Sequence, residues 1–189
     1  MNQHRKPSRL WKQTRSRWLL GIPIGGFIAL VLGALGVVTF HGVMDFTNTN
    51  EFCYGCHIGR DTIVEEYQAS VHFNNRSGVI ATCADCHVPK PFVDKMIVKV
   101  KATADIYYQL METVTLENFE QERLRLAEHV WRDMAASNSR ECRSCHTPER
   151  WDSDAQPIRV RTNHQKMLSQ NMNCIDCHQG VAHKRPVIE

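Results

Sequence analysis

The sequence predicts an all-α protein, in which one long apolar helix near the N-terminus is followed by a small helical domain. Three observations carry this expectation. Residues 18–40 (WLLGIPIGGFIALVLGALGVVTF) run without a charged side chain. After residue 41 strand-like alternation is scarce, whereas helical patterns cover residues 61–71, 91–112 and 116–136. All eight cysteines fall in four C-x-x-C-H pentapeptides, so the domain is organised around those motifs.

At a rise of ~1.5 Å per residue, the apolar run reaches roughly 34 Å, enough to cross a bilayer core. It contains Gly21, Pro23, Gly25, Gly26, Gly33 and Gly36, residues that membrane helices tolerate far better than helices in water. A cleaved secretory signal would have a shorter apolar core and a small-residue cleavage site. This run ends in Thr39-Phe40-His41 without such a pattern, so an uncleaved signal anchor is expected. Arg5, Lys6, Arg9, Lys12, Arg15 and Arg17 precede it with no acidic residue among them. Lys and Arg favour the cytoplasmic side. The expected order is therefore a cytoplasmic basic tail (1–17), a transmembrane anchor (18–40) and a periplasmic domain (41–189). Of the 23 Lys and Arg, six lie in the tail, leaving 17 against 20 Asp and Glu, about −3 for the domain. The basic balance belongs to the anchor and gives no sign of nucleic-acid binding.

The motifs are Cys53–His57, Cys83–His87, Cys142–His146 and Cys174–His178. Two thiols three residues apart can each form a thioether to one porphyrin vinyl group, and the histidine that follows is directed at the iron. Zinc has no use for a histidine placed invariably after the second cysteine, and a dithiol oxidoreductase needs one such motif. Four covalently bound c-type haems are expected, attached through Cys53, Cys56, Cys83, Cys86, Cys142, Cys145, Cys174 and Cys177. With so few long apolar runs after residue 40, the porphyrins would supply much of the core, and the domain would be largely unfolded without them.

The motif starts at 53, 83, 142 and 174 read as two pairs separated by a longer helical insert, the pattern of a duplication. Pro91 suits the opening turn of the 91–112 helix. Residues 117–128 are charged on most sides and read as a solvated helix. Segments around Pro148, Pro157 and Pro186 read as loops.

His57, His87, His146 and His178 are the natural proximal iron ligands. His4 falls in the cytoplasmic tail. His72 lies eleven residues before Cys83, His164 ten before Cys174, and His183 five after His178. Each is placed to reach across to another motif's haem as a distal ligand. His41 at the membrane edge and His129 on the charged helix are weaker candidates.

The stretches NEFCYGCH, EEYQASVH, SGVIATCADCHVPK, KVKATADIYY, SRECRSCH and NCIDCHQGVAHKRP, with the single N-terminal span, resemble the NapC/NirT family of membrane-anchored tetrahaem cytochromes over nearly the whole chain. That resemblance implies oxidation of a quinol, menaquinol or ubiquinol, at a bacterial inner membrane. The electrons would go to a periplasmic reductase or its cytochrome subunit, for nitrate, nitrite or a similar acceptor. It also supports His72, His164 and His183 as distal ligands. In the family a lysine and an aspartate on the helix after the second motif sit by the quinol. The matching positions here are Lys99, which would orient a quinol oxygen, and Asp105, which would accept a proton or shape the open face of the first haem. The plainer alternative makes Lys101–Asp105 a surface i,i+4 pair and Lys99 a solvated lysine.

Two positions depart from the family pattern. Gly59 stands where relatives carry a methionine that ligates the first haem, and Lys90 stands where many have a histidine. Lys90, Met96, His129 and His41 are then the candidates for the missing coordination, or one haem stays five-coordinate and high-spin. A passive relay between proteins, without a quinol site, is the alternative function. A terminal reductase is disfavoured because no polar pocket cluster is evident. Gly25, Gly26, Gly33 and Gly36 also offer a close-packing face for a second copy.

Overall fold

The computed structural model describes residues 23–55, 59–111 and 113–188, with backbone alone at Asp105 and Gln109. The expected tail (1–17), the first residues of the expected anchor (18–22), Cys56, His57 and Ile58 lie outside the described residues. The chain divides into two compact units, Met1–Thr47 and Asn48–Glu189.

In the first unit, α1 (Ile24–Phe46) is a single helix long and apolar enough to cross a membrane. Pro23, with φ −59°, stands at its N-cap, where the missing N–H of proline costs nothing. The helix passes the expected end at Phe40, as residues 41–46 contain no proline and the single Gly42 is tolerated. Thr47 closes it, its Oγ1 donating to the Val43 carbonyl at 2.8 Å. No residue of α1 is buried by protein.

The second unit contains α2 (Asn50–Cys53), a π-helical turn (Arg60–Val64) running into α3 (Glu65–Ala69), α4 (Cys83–His87), α5 (Phe92–Leu110), α6 (Phe119–Ala136), α7 (Arg140–Arg143), a 3₁₀ turn (Pro148–Arg150) and α8 (Ile158–Gln170). The described residues contain no strand, as expected of an all-α chain. The three expected helices form, with trimmed ends. α6 begins at Phe119 because Thr115 and Asn118 tie a turn ahead of it: the Thr115 amide donates to Asn118 Oδ1 at 2.7 Å, and the Asn118 amide to Thr115 Oγ1. Helix α8 was not expected. Pro157, read as a loop residue, is its N-cap, and polar residues intersperse its apolar positions.

Protein atoms alone bury few apolar side chains: Tyr67, Phe119, Met167 and Ile175. Specific polar ties do much of the positioning. Glu66 and Arg123, with side chains 8% and 9% exposed, form a two-pronged ion pair at 2.8 and 2.9 Å. Glu66 also accepts the Lys184 amide at 2.7 Å, so α3, α6 and the segment carrying His183 meet at one carboxylate.

Candidate haem sites

The four motifs fold in two matched pairs. Asn50, three residues before Cys53, accepts the Cys83 amide on Oδ1 at 2.9 Å. Ser139, three residues before Cys142, accepts the Ile175 amide on Oγ at 3.2 Å. In each pair a polar side chain at the same position of the first motif thus holds the first turn of the second. Ser139 is fully buried with φ 49°, a left-handed conformation held by this tertiary hydrogen bond and a local one, its amide donating to the Met134 carbonyl at 2.7 Å. The second motifs also agree with each other. Asp85 accepts the Thr82 amide at 2.9 Å, and Asp176 the Asn173 amide at 3.0 Å. These are the reciprocal contacts of a capping box in the first case and half of one in the second. The duplication read from the spacing has this structural counterpart.

The motifs follow one another in space. Cys53 and Cys83 lie close together: the Cys83 thiol, assisted by Lys99 against desolvation, lowers the Cys53 pKa to about 7, while Cys53 and burial push Cys83 far up. Burial, with Cys142 and Cys145 nearby, raises Cys86 to about 11. Burial and then Cys174 raise Cys142. Motifs one to four therefore form a row in chain order.

Three imidazole pairs face one another. Ring centroids lie 6.3 Å apart for His87 and His183, 6.1 Å for His72 and His146, and 6.0 Å for His164 and His178. Two trans imidazoles on one metal, with bonds of ~2.0–2.1 Å and about 1.1 Å from nitrogen to ring centre, stand roughly 6 Å apart. The described residues hold no cluster of three or more His, Cys, Asp or Glu arranged for a metal; the imidazoles come in twos. The second nitrogen of each non-motif histidine is engaged. Nδ1 of His72 donates to the Val181 carbonyl (3.3 Å), that of His183 to the Ile63 carbonyl (3.1 Å), and that of His164 to Gln156 Oε1 (3.0 Å). An oxygen on Nδ1 fixes the tautomer that leaves Nε2 free of a proton, as iron coordination requires. Desolvation, reinforced by the facing His183 imidazole, lowers the His87 pKa, and desolvation lowers that of His183 despite the Ile63 bond. Both shifts favour the neutral, ligating form of the ring. The residues present therefore fit haem at motifs two, three and four.

At motif four the site is a cleft of about 350 Å³ lined by Trp151, His164, Met167, Cys174, Cys177 and His178 among others. Trp151 packs on His164 with centroids 4.8 Å apart. At motif two the turn that returns His183 depends on Gly180, whose φ is +76°. A Cβ there would stand 3.1 Å from Arg185 Cβ and 3.2 Å from the His183 carbonyl oxygen. Gly180→Ala is expected to cost about 1–2 kcal/mol in backbone strain and to displace His183. A low-spin signal lost from one haem in electron paramagnetic resonance would register this, and an unchanged spectrum would refute it.

The remaining candidates are dispersed. Lys99, half-buried, stands close enough to Cys53 for the two charges to interact; desolvation, and then Lys95, lower its pKa against the pull of Cys53. Lys90 is exposed, its ammonium near the Asp85 carboxylate, at a cleft of about 230 Å³ shared with Asn48, Thr82 and Lys95. His129 contacts Asp133 at 3.7 Å on the exposed side of α6. His41 stacks edge-on to Phe40 within α1, and Met96 is half-buried on α5. Gly59 opens the π-helical turn. The side chain of Asp105 and all of His57 and Cys56 lie outside the described residues. Sequence reasoning missed Gln156, Glu66, Arg123, Asn50, Ser139 and Trp151. Their roles come from contacts across 8 to 57 residues, for which no local pattern exists.

With no strand among its described residues and with thiols set beside paired imidazoles, the chain is a haem-binding c-type cytochrome, an electron-transfer protein. Residues 15–188 match the NapC/NirT cytochrome c family, N-terminal region, and the chain belongs to that family. It is 45% identical over 195 residues to the cytochrome c-type protein NapC of Escherichia coli (strain K12), covering 98% of this chain and 94% of that one. To the denitrification system component NirT of Stutzerimonas stutzeri it is 42% identical over 168 residues, covering 86% and 83%. To a putative tetraheme cytochrome-c type protein of Allochromatium vinosum it is 45% identical over 164 residues, covering 84% and 89%. No solved structure matches it.

Proposed function

We propose that the protein is a single-pass anchored tetrahaem cytochrome of a bacterial inner membrane, with its haem domain in the periplasm. It takes electrons from membrane quinol and delivers them to a periplasmic reductase or that reductase's cytochrome subunit. Haem bound at the motifs supplies reversible one-electron chemistry. Cys53, Cys56, Cys83, Cys86, Cys142, Cys145, Cys174 and Cys177 hold it covalently, and His57, His87, His146 and His178 are the proximal ligands. His183, His72 and His164 are the distal ligands for motifs two, three and four. Quinol oxidation releases two electrons and two protons, so its site needs a group that orients the headgroup and one that takes a proton. Lys99 is assigned the first role and Asp105 the second. The observation that carries this reading is the approach of Lys99 to Cys53, at the motif next to the span.

Lys99→Ala in the assembled cytochrome is expected to slow reduction by quinol about tenfold or more, a barrier rise of ~1.4 kcal/mol, while dithionite still reduces every haem. An unchanged quinol rate would favour the second reading, a relay between proteins. That reading keeps the same row of motifs and needs no quinol site.

The three imidazole pairs also support an assignment of spin states. Motifs two to four give low-spin, bis-histidine signals. Motif one, with Gly59 behind it and His129 engaged by Asp133, gives a high-spin signal. Four low-spin signals at full occupancy would contradict this and turn attention to Lys90, Met96 or His41.

A further inference from the structure

Helix α5 meets the rest of the domain on two sides, although Phe92, Ile106 and Leu110 on the Lys99 side are exposed as well. Lys99 faces motif one, and Asp94 on another side is ion-paired to Arg140 of the motif-three helix. A third side is apolar and uncovered. Val93, Ile97, Val100, Ala104, Tyr107 and Met111 recur at spacings of four and three. Each is exposed, Val100 at 69%, Met111 at 61% and Tyr107 at 59%. Met111 extends the helical ladder, its amide donating to the Tyr107 carbonyl at 3.0 Å. The stripe is roughly 27 Å long at ~1.5 Å per residue and carries no charge, while Lys101 borders it.

We propose that this face lies in the lipid–water interface, so that α5 is an interfacial helix and a second membrane contact besides the span. The inference rests on the anchored reading above and adds the surface that the haem domain turns to the bilayer. Cys53 follows Phe46, the end of α1, by only seven positions. That short stretch makes motif one the first of the four after the span along the chain. Lys99 puts α5 beside that motif. A porphyrin held through Cys53 would lie on the Lys99 side of the helix, and Val100, Ala104 and Ile97 are turned about 100–160° away from Lys99 at 3.6 residues per turn. Tyrosine at one end and lysine at the border are the residues that bind the headgroup region. Docked in this way, α5 holds the Lys99 side at the depth where a quinol headgroup travels.

The test uses the full-length holoprotein in bilayer nanodiscs containing a phospholipid with a diazirine on its upper acyl chain, with adducts mapped by peptide mass spectrometry. Adducts are expected on α1 and on the Val93–Met111 stripe. In the Val100→Glu/Tyr107→Glu double variant the α5 adducts should be lost, those on α1 kept and the haem spectra unchanged. Adducts confined to α1 in the wild-type protein would overturn the proposal while leaving the anchored reading intact. Adducts on neither would overturn both. Chain-to-chain cross-links through the stripe would overturn it in favour of a second copy.

Discussion

A full-length chain in which all eight motif cysteines are serine will have no stable helical domain after residue 47. Its far-UV circular dichroism should fall to little more than the contribution of α1, and limited proteolysis should digest residues 48–189 at rates typical of an unfolded chain. The reason is the shortage of protein-only core. Tyr67, Phe119, Met167 and Ile175 are the buried apolar residues of the described domain, too few to order a unit of this size by burial alone. Two of the four, Met167 and Ile175, lie at motif four, where Met167 lines the cleft. Replacing Cys174 and Cys177 alone should therefore loosen α8 and expose Trp151 while motifs one to three stay folded. A serine variant as helical and as protease-resistant as the holoprotein would refute the dependence on haem.

Glu66→Ala is the second change with a large expected effect. Removing one partner of a buried ion pair costs about 3–5 kcal/mol, with the lower end expected here because Glu120 still holds the Arg123 guanidinium at 2.7 Å. The loss is directed. Lys184 loses the acceptor of its amide, and its neighbour His183 loses its fixed position opposite His87. One low-spin signal should broaden or turn high-spin, and the thermal midpoint should fall. Glu66→Gln, which keeps the amide acceptor, should restore the spectrum better than the stability. A spectrum unaltered in Glu66→Ala would show that His183 is held by the Ile63 carbonyl alone. The same carboxylate predicts a pH response. Burial by itself would raise the Glu66 pKa, but the hydrogen bonds from Arg123 and the Lys184 amide, with both nearby cations, hold it below 4.5. A folded-state pKa below the unfolded one gives stability that is present above pH 4.5 and lost as pH falls through the lowered value. Acid should thus destabilise the wild type more steeply than Glu66→Gln, a difference readable in denaturation midpoints between about pH 5 and 3.

What was legible in the sequence was whatever has a short period. Four pentapeptides disclosed the cofactor, an uncharged run disclosed the helix now seen at Ile24–Phe46, and the 3.6-residue pattern found α5 and α6. Spacing brought forward His72, His164 and His183, each of which faces a motif imidazole. Which motif each would face was not legible. His164 meets the motif nearest to it in sequence, whereas His72 and His183 meet motifs across the helical insert, a matter of tertiary closure. Helix α8 was hidden because its apolar positions give too weak a stripe. The matched pair Asn50 and Ser139 was hidden because one is an amide and the other a hydroxyl. Their equivalence lies in what they accept, and chain patterns do not record that.

The crossing of two imidazole pairs bears on how such a domain can be made. His72 meets His146, and His87 meets His183, so the two connections interleave along the chain and neither is nested in the other. A fragment ending in α6 would own His72 and His87 yet complete neither pair, and the fragment beyond it could complete His164 with His178 alone. The two halves of the duplication are therefore no longer separable modules. The His72–His146 connection can close only once residues through 146 are present, and the His87–His183 connection only once residue 183 is, so the paired sites are completed late along the chain.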